Sequence, residues 1–165
     1  MRLETIDGHE TRVGQVSMQE AATLTGLQLM QAIVDGDLPG PSIGHAMNFR
    51  MVEVQEGVVI FAGTPHEGLM NPIGTVHGGW AATILDSALA CAVHTLCPLG
   101  HASTSIDLKV NFVRPILPST GLLIARGEVV HPGRQIATSQ ATLKDEAGKL
   151  YAHGTQTCSV FKLPV

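Results

Sequence analysis

Aromatic residues are scarce in this chain: one Trp, one Tyr and four Phe make up 4% of 165 residues. A core therefore has to come from aliphatic side chains, and the lone Trp80 stands out. Charge is thin as well, at 15% of residues, with ten Lys and Arg against fourteen Asp and Glu. That acidic balance lacks the cationic surplus that nucleic acid or a membrane surface requires, so neither is expected as a partner. Apolar residues at 44% set the chain apart from disordered sequences. The three cysteines, Cys91, Cys97 and Cys158, form no CxxC pair. They read as buried or idle thiols in a reducing cytoplasm. Eight histidines show no HxxxH spacing and no close Cys/His pair, so no metal site is expected. No apolar run approaches the roughly 18 residues of a membrane span. The nearest, Trp80 to Val93, carries Asp86. The first residues contain no apolar signal segment, and the expected compartment is the cytoplasm. A G-x-S-x-G elbow, a P-loop and a strand-linked GxGxxG are all missing, which disfavours an α/β-hydrolase and the common nucleotide folds.

Glycine is plentiful, with 18 residues, and punctuates the chain. Residues 1–16 read as a loose polar arm. Ser17 to Glu20 has the form of a capping box, followed by Ala21, Leu24, Leu27, Met30 and Val34 at helical spacing. One amphipathic helix is expected there. The Gly/Pro-rich stretch 35–44 then marks the boundary between an N-terminal appendage, 1–44, and a main domain, 45–165. Strands are expected at 46–55 and 58–64 around Glu56-Gly57, and a Gly/Pro-rich loop at 65–77. A long apolar helix is expected at 78–96, stopped by Pro98 and Gly100. Ile106, Leu108, Val110 and Phe112 alternate with polar residues as in a half-buried strand. Three more strands, 121–131, 134–144 and 149–161, are separated by the turns Pro132-Gly133 and Asp145 to Gly148. This order predicts an α+β fold in which one curved antiparallel sheet wraps a long central helix.

The central helix carries the chemistry. Asp86 is the only charged residue between His77 and Pro98. An unpaired carboxylate buried there is costly and retains its proton to higher pH, as a general base would; a structural hydrogen-bonded role is equally open. Gly78-Gly79 at the helix start offers backbone N–H groups to an oxyanion, or simply eases a crowded helix entry. Eight residues separate Gly78 from Asp86, roughly 12 Å of helical rise. Two catalytic groups that far apart cannot serve one carbonyl, so a shared site calls for a second, antiparallel copy.

The segment N-P-x-G-T-V-H-G-G-W-x-A-T-x-L-D-S (71–87), followed by S-x-D-L-x-V-N-F-x-R-P (105–115), resembles the hotdog-fold acyl-CoA thioesterases. The phenylacetate-degradation branch is the nearest in pattern, and the resemblance spans about residues 45–161. It implies a homodimer with a continuous sheet, often doubled into a tetramer, and an acyl-CoA substrate with no separate cofactor. It also implies roles: Asp86 as general base or nucleophile, Gly78 as the N–H that polarises the thioester carbonyl, and Asn71 facing Asp86 of the partner subunit. His77 would shape the loop beside the thioester, and Ser105, or its neighbour Thr104, would orient water. Arg114 and Arg134 match CoA-contacting positions. Gly79 lies beside the carbonyl site, and Trp80 either walls the acyl pocket or packs in the core. Aryl, short and medium acyl groups stay open. The rival readings are a non-catalytic acyl-CoA binder or sensor and a dehydratase on the same fold.

Overall fold

The computed structural model describes residues 2–164. Its chain order is β1 (Arg2–Ile6), β2 (His9–Val13), α1 (Met18–Ala21), α2 (Gly26–Val34), α3 (Ser42–Met47), β3 (Phe49–Gln55) and β4 (Val58–Gly63). Then come α4 (Gly78–His94), β5 (His101–Phe112), β6 (Leu123–His131), β7 (Ile136–Asp145) and β8 (Leu150–Lys162). Six strands form one sheet in the order β3-β4-β6-β7-β8-β5, with every neighbour antiparallel. The α+β architecture with one central helix is as expected.

The N-terminal third departs from expectation. Residues 2–13 are a β-hairpin rather than a loose arm, with Ile6 opposite His9. The Asp7-Gly8 turn explains it. Both residues have positive φ, 48° and 79°, the conformation that tight two-residue hairpins need. Ile6 and Val13 are buried, and the Asp7 N–H donates to Asn48 Oδ1 at 2.7 Å. The single helix expected after Ser17 is broken in two. Ser17 Oγ does cap α1, accepting from the Glu20 N–H at 3.1 Å. The reciprocal capping box belongs instead to Thr25 and Gln28, which start α2 afresh. Close approach dictates the break. The Gly26 N–H donates to the Cys97 carbonyl at 2.9 Å, and a Cβ at Gly26 would lie 1.7 Å from the His94 carbonyl oxygen. Residues 42–47 form α3, so β3 begins at Phe49 rather than at residue 46.

Helix α4 is the axis of the fold. Trp80, Ala81, Ile84, Leu85, Ala88, Leu89, Ala92 and Val93 are buried at helical spacing against the sheet. Burying each of the larger aliphatics is worth about 1.5–3 kcal/mol. Leu29 and Met30 of α2 join the same core. The alanines let the sheet come close: a Cβ at Gly127 in β6 would lie 2.2 Å from the Ala88 carbonyl oxygen. The remaining face of α4 carries Ala82, Thr83, Asp86, Ser87, Ala90, Cys91 and His94, all half-buried. At the other side of the sheet β5 is an edge strand. Among the described residues it pairs with β8 alone, with a register shift between Ser105 and Asp107, and it exposes Ile106, Leu108 and Phe112.

Two stability outcomes follow from this packing. Gly127→Ala should cost about 1–3 kcal/mol, seen as a lower thermal midpoint, because the helix backbone itself blocks the added methyl. The second concerns His94, whose Nδ1 lies 3.2 Å from Ser103 Oγ and whose imidazole burial pushes below its ordinary value of 6.5. The unfolded chain then binds that proton more readily, so stability falls as pH drops below about 6.5 and levels off below the folded value. Urea midpoints measured from pH 8 to pH 5 should fall less in His94→Asn than in wild type.

Candidate active site

Asp86 sits on the half-buried face of α4, and its carboxylate is not unpaired. Oδ1 accepts from the Ser105 hydroxyl of β5 at 3.3 Å and from Gln156 Nε2 of β8. Neighbouring Ser87 plays no part in this, since its hydroxyl donates to the Thr83 carbonyl at 3.0 Å. Of the two candidates on β5, Ser105 reaches Asp86, at the bulge where the strand carries one residue more than its partner. Thr104 is exposed. Gln156 is the member that sequence reasoning missed. It is 1% exposed, at an inward position of β8 between Gly154 and Cys158. A glutamine in the inward phase of an alternating strand was the available signal.

The second cluster forms around the start of α4. Asn71 folds its loop: Oδ1 accepts from the N–H groups of Ile73 (3.0 Å) and Thr75 (3.3 Å), and Nδ2 donates to Thr75 Oγ1 at 2.5 Å. His77 caps the helix, with Nδ1 accepting from the Gly79 N–H at 2.9 Å. The Gly79 donor is thereby used. The Gly78 N–H has no partner among the described residues and stands at the positive end of the helix dipole. The Phe112 ring from the end of β5 crowds Gly78 so closely that a Cβ there would lie 3.0 Å from Cζ. A side chain at this point would have to push the exposed Phe112 ring aside by a few tenths of an ångström. Trp80 points into the core, 2% exposed, with its indole N–H donating to the Met47 carbonyl at 2.6 Å.

These two clusters lie on the same helix, eight residues apart, and a single chain does not bring them to one point. The cationic candidates are peripheral. Arg114 Nη1 donates to the Leu150 carbonyl at 2.5 Å. Arg134 borders a cavity of about 340 Å³ with His101, Pro98 and Val160. Among the described residues neither arginine is in a salt bridge.

The thiols are chemically quiet. Burial, reinforced by the Asp86 carboxylate, pushes Cys91 up to about 12 and Cys158 up to about 11. Neither offers a thiolate nucleophile near neutral pH. Among the described residues no cluster of three or more His, Cys, Asp or Glu could hold a metal, and no helix is long and apolar enough to cross a membrane. What the arrangement provides is a carboxylate beside a hydroxyl, suited to activating water, and an unused N–H at a helix start, suited to an oxyanion.

Comparison with known proteins agrees with that chemistry. The family model of the Thioesterase superfamily matches residues 73–152. Acyl-coenzyme A thioesterase 13 of Homo sapiens is 31% identical over 109 residues, covering 65% of this chain and 76% of that protein. A thioesterase family protein from Silicibacter pomeroyi superposes with a TM-score of 0.70 at 25% identity, over 81% of this chain and 98% of that one. The E. coli PaaI protein of the phenylacetic acid degradation operon shares the fold, with a TM-score of 0.70 at 20% identity over 85% and 96% of the two chains. A paired carboxylate on the central helix of a six-stranded sheet, together with these relatives, places the chain in the thioesterase superfamily, as a thioester hydrolase with the hotdog fold.

Proposed function

We propose that the protein hydrolyses acyl-CoA thioesters at a site shared by two copies of the chain. The observation that carries this reading is the arrangement along β5. Ser105 marks the Asp86 end of this edge strand and Phe112 marks the Gly78 end. The edge is unpaired and apolar at Ile106, Leu108 and Phe112, a surface that antiparallel pairing with a second copy would cover. A two-fold axis passing between Leu108 and Lys109 sets Ser105 opposite Phe112 of the partner subunit. Each Asp86 then approaches Gly78 of the partner subunit, and the dimer gains two equivalent sites.

In this reading the thioester carbonyl accepts a hydrogen bond from the Gly78 N–H of one subunit. Asp86 of the other subunit, aided by the Ser105 hydroxyl, takes a proton from water as its oxygen attacks the carbonyl carbon. The tetrahedral oxyanion collapses, the C–S bond breaks, and the proton leaves with CoA as the thiol. The products are a carboxylic acid and free CoA. Asn71 and His77 serve by holding the loop and helix start that present Gly78. Gly79 supplies the N–H that fixes His77. Arg114 and Arg134 would meet the nucleotide phosphates in this reading. Thr104 is exposed beside the proposed seam, whereas Trp80 supports the helix from within the core.

Free-thiol release from aryl, short, medium and long acyl-CoA substrates tests the activity and ranks the acyl groups. Asp86→Asn should lower turnover by about 10²-fold or more while leaving folding and assembly intact. Retained turnover in that variant sinks the assignment of the base. Mixing Asp86→Asn with Gly78→Pro, which lacks the N–H, distinguishes a shared site from a one-chain site. Random reassociation should restore about a quarter of wild-type turnover, because each mixed dimer regains one intact site. No restoration, in mixed dimers shown to have formed, overturns the shared site.

A further inference from the structure

Gln156 has a function that burial alone does not require. Its side chain is almost completely buried yet hydrogen-bonded at both ends. Nε2 donates to Asp86 Oδ1, and Oε1 accepts from the Cys158 thiol at 3.4 Å. The chemistry of the neighbours fixes which end faces which. An ionised carboxylate only accepts, so it must meet the NH2 end, and a neutral thiol supplies the donor that the carbonyl end needs. Among the described residues Asp86 is in no salt bridge, and the Cys91 thiol on α4 and the Cys158 thiol on β8 both stay neutral beside it. No cation competes with the amide. The Ser105 bond to the same oxygen comes from an exposed edge strand, whereas Gln156 comes from β8, inside the sheet.

We propose that Gln156 is the positioning residue of the Asp86 carboxylate: its amide, locked in orientation by Cys158, fixes Oδ1 and leaves Oδ2 free to face water. The inference rests on Asp86 being the base. Its test is the pH dependence of kcat and KM for thiol release in Gln156→Met and Gln156→Glu beside Asp86→Asn. Gln156→Met keeps the volume and removes the donor. It should lower kcat about ten-fold with KM unchanged, and move the acid limb of kcat upward by about one pH unit, because the carboxylate has lost a donor that favours its charged form.

Gln156→Glu should behave differently. Its carboxyl can donate to Asp86 only while protonated, so its activity relative to wild type should be highest at acid pH and collapse as pH rises. A kcat and acid limb like wild type in Gln156→Met overturn the proposal. So does a loss of kcat with no movement of the limb, the mark of a merely structural residue. Should Gln156→Met fail to fold, the profile of Gln156→Glu decides alone, and a wild-type profile there overturns the proposal too. If instead Asp86→Asn retains full turnover, the base assignment fails, an outcome distinct from failure at Gln156.

Discussion

The close approach of α4 to the sheet is the constraint on which the rest depends. It is made by small residues, with alanines at 81, 88 and 92 on the helix and Gly127 opposite Ala88 on β6. Larger side chains at those points would lift the helix from the sheet. The Asp86 carboxylate would then stand too far from β8 for the side chain of Gln156 to span the gap. Packing and site are therefore one problem: the methyl-sized contacts that bury the apolar stripe also set the distance at which a polar side chain of the sheet meets the helix. The same helix ends against Gly26, where α2 can approach only because that residue has no Cβ.

The edge strand supplies the second constraint. A long strand with one open edge and exposed Ile106, Leu108 and Phe112 is a liability for a lone chain. Its bulge at Ser105 prevents a fully regular ladder and turns a hydroxyl toward the helix. Its far end places an aromatic ring over Gly78. One strand thus borders both chemical clusters, which the rigid helix keeps apart. In the proposed dimer, pairing of that strand with a second copy would satisfy its open backbone groups and bring unlike clusters together in the same step, so that assembly and catalysis would share one surface.

Legibility in the sequence followed the range of the interactions. The long helix, the β3–β4 hairpin at Glu56-Gly57 and the C-terminal strands were readable because period, turn chemistry and prolines act within a few residues. Asp86 was readable because a single charge in an apolar helix is anomalous wherever it lies. The hairpin at residues 2–13 was legible in its Asp7-Gly8 turn but was obscured by the polar residues around it. The break before α2 was not legible, since it depends on His94 and Cys97, which lie about 70 residues away along the chain. Gln156 was hidden for the same reason. It lies 70 residues from Asp86, and nothing local links the two. The sequence-based reading therefore left an unpaired and a hydrogen-bonded carboxylate equally open where the fold has a bonded one.

That difference alters the physical account of the site. A carboxylate without partners would gain basicity from desolvation, at a large cost to the folded state. A carboxylate held by Ser105 and Gln156 has part of its hydration replaced by fixed donors, which offsets that cost. What it offers the reaction is then orientation. In the proposed reaction the burden of stabilising the transition state would shift toward the developing oxyanion, where the free N–H of Gly78 and the helix dipole would act on a charge absent from the ground state. His77 contributes to this division by accepting the Gly79 N–H, which leaves Gly78 as the one outward donor of the pair. The proposed base and oxyanion donor are thus held by separate hydrogen-bond networks, one built across the sheet and one within a loop. Each network is complete within a single chain; the substrate carbonyl is the element that needs both.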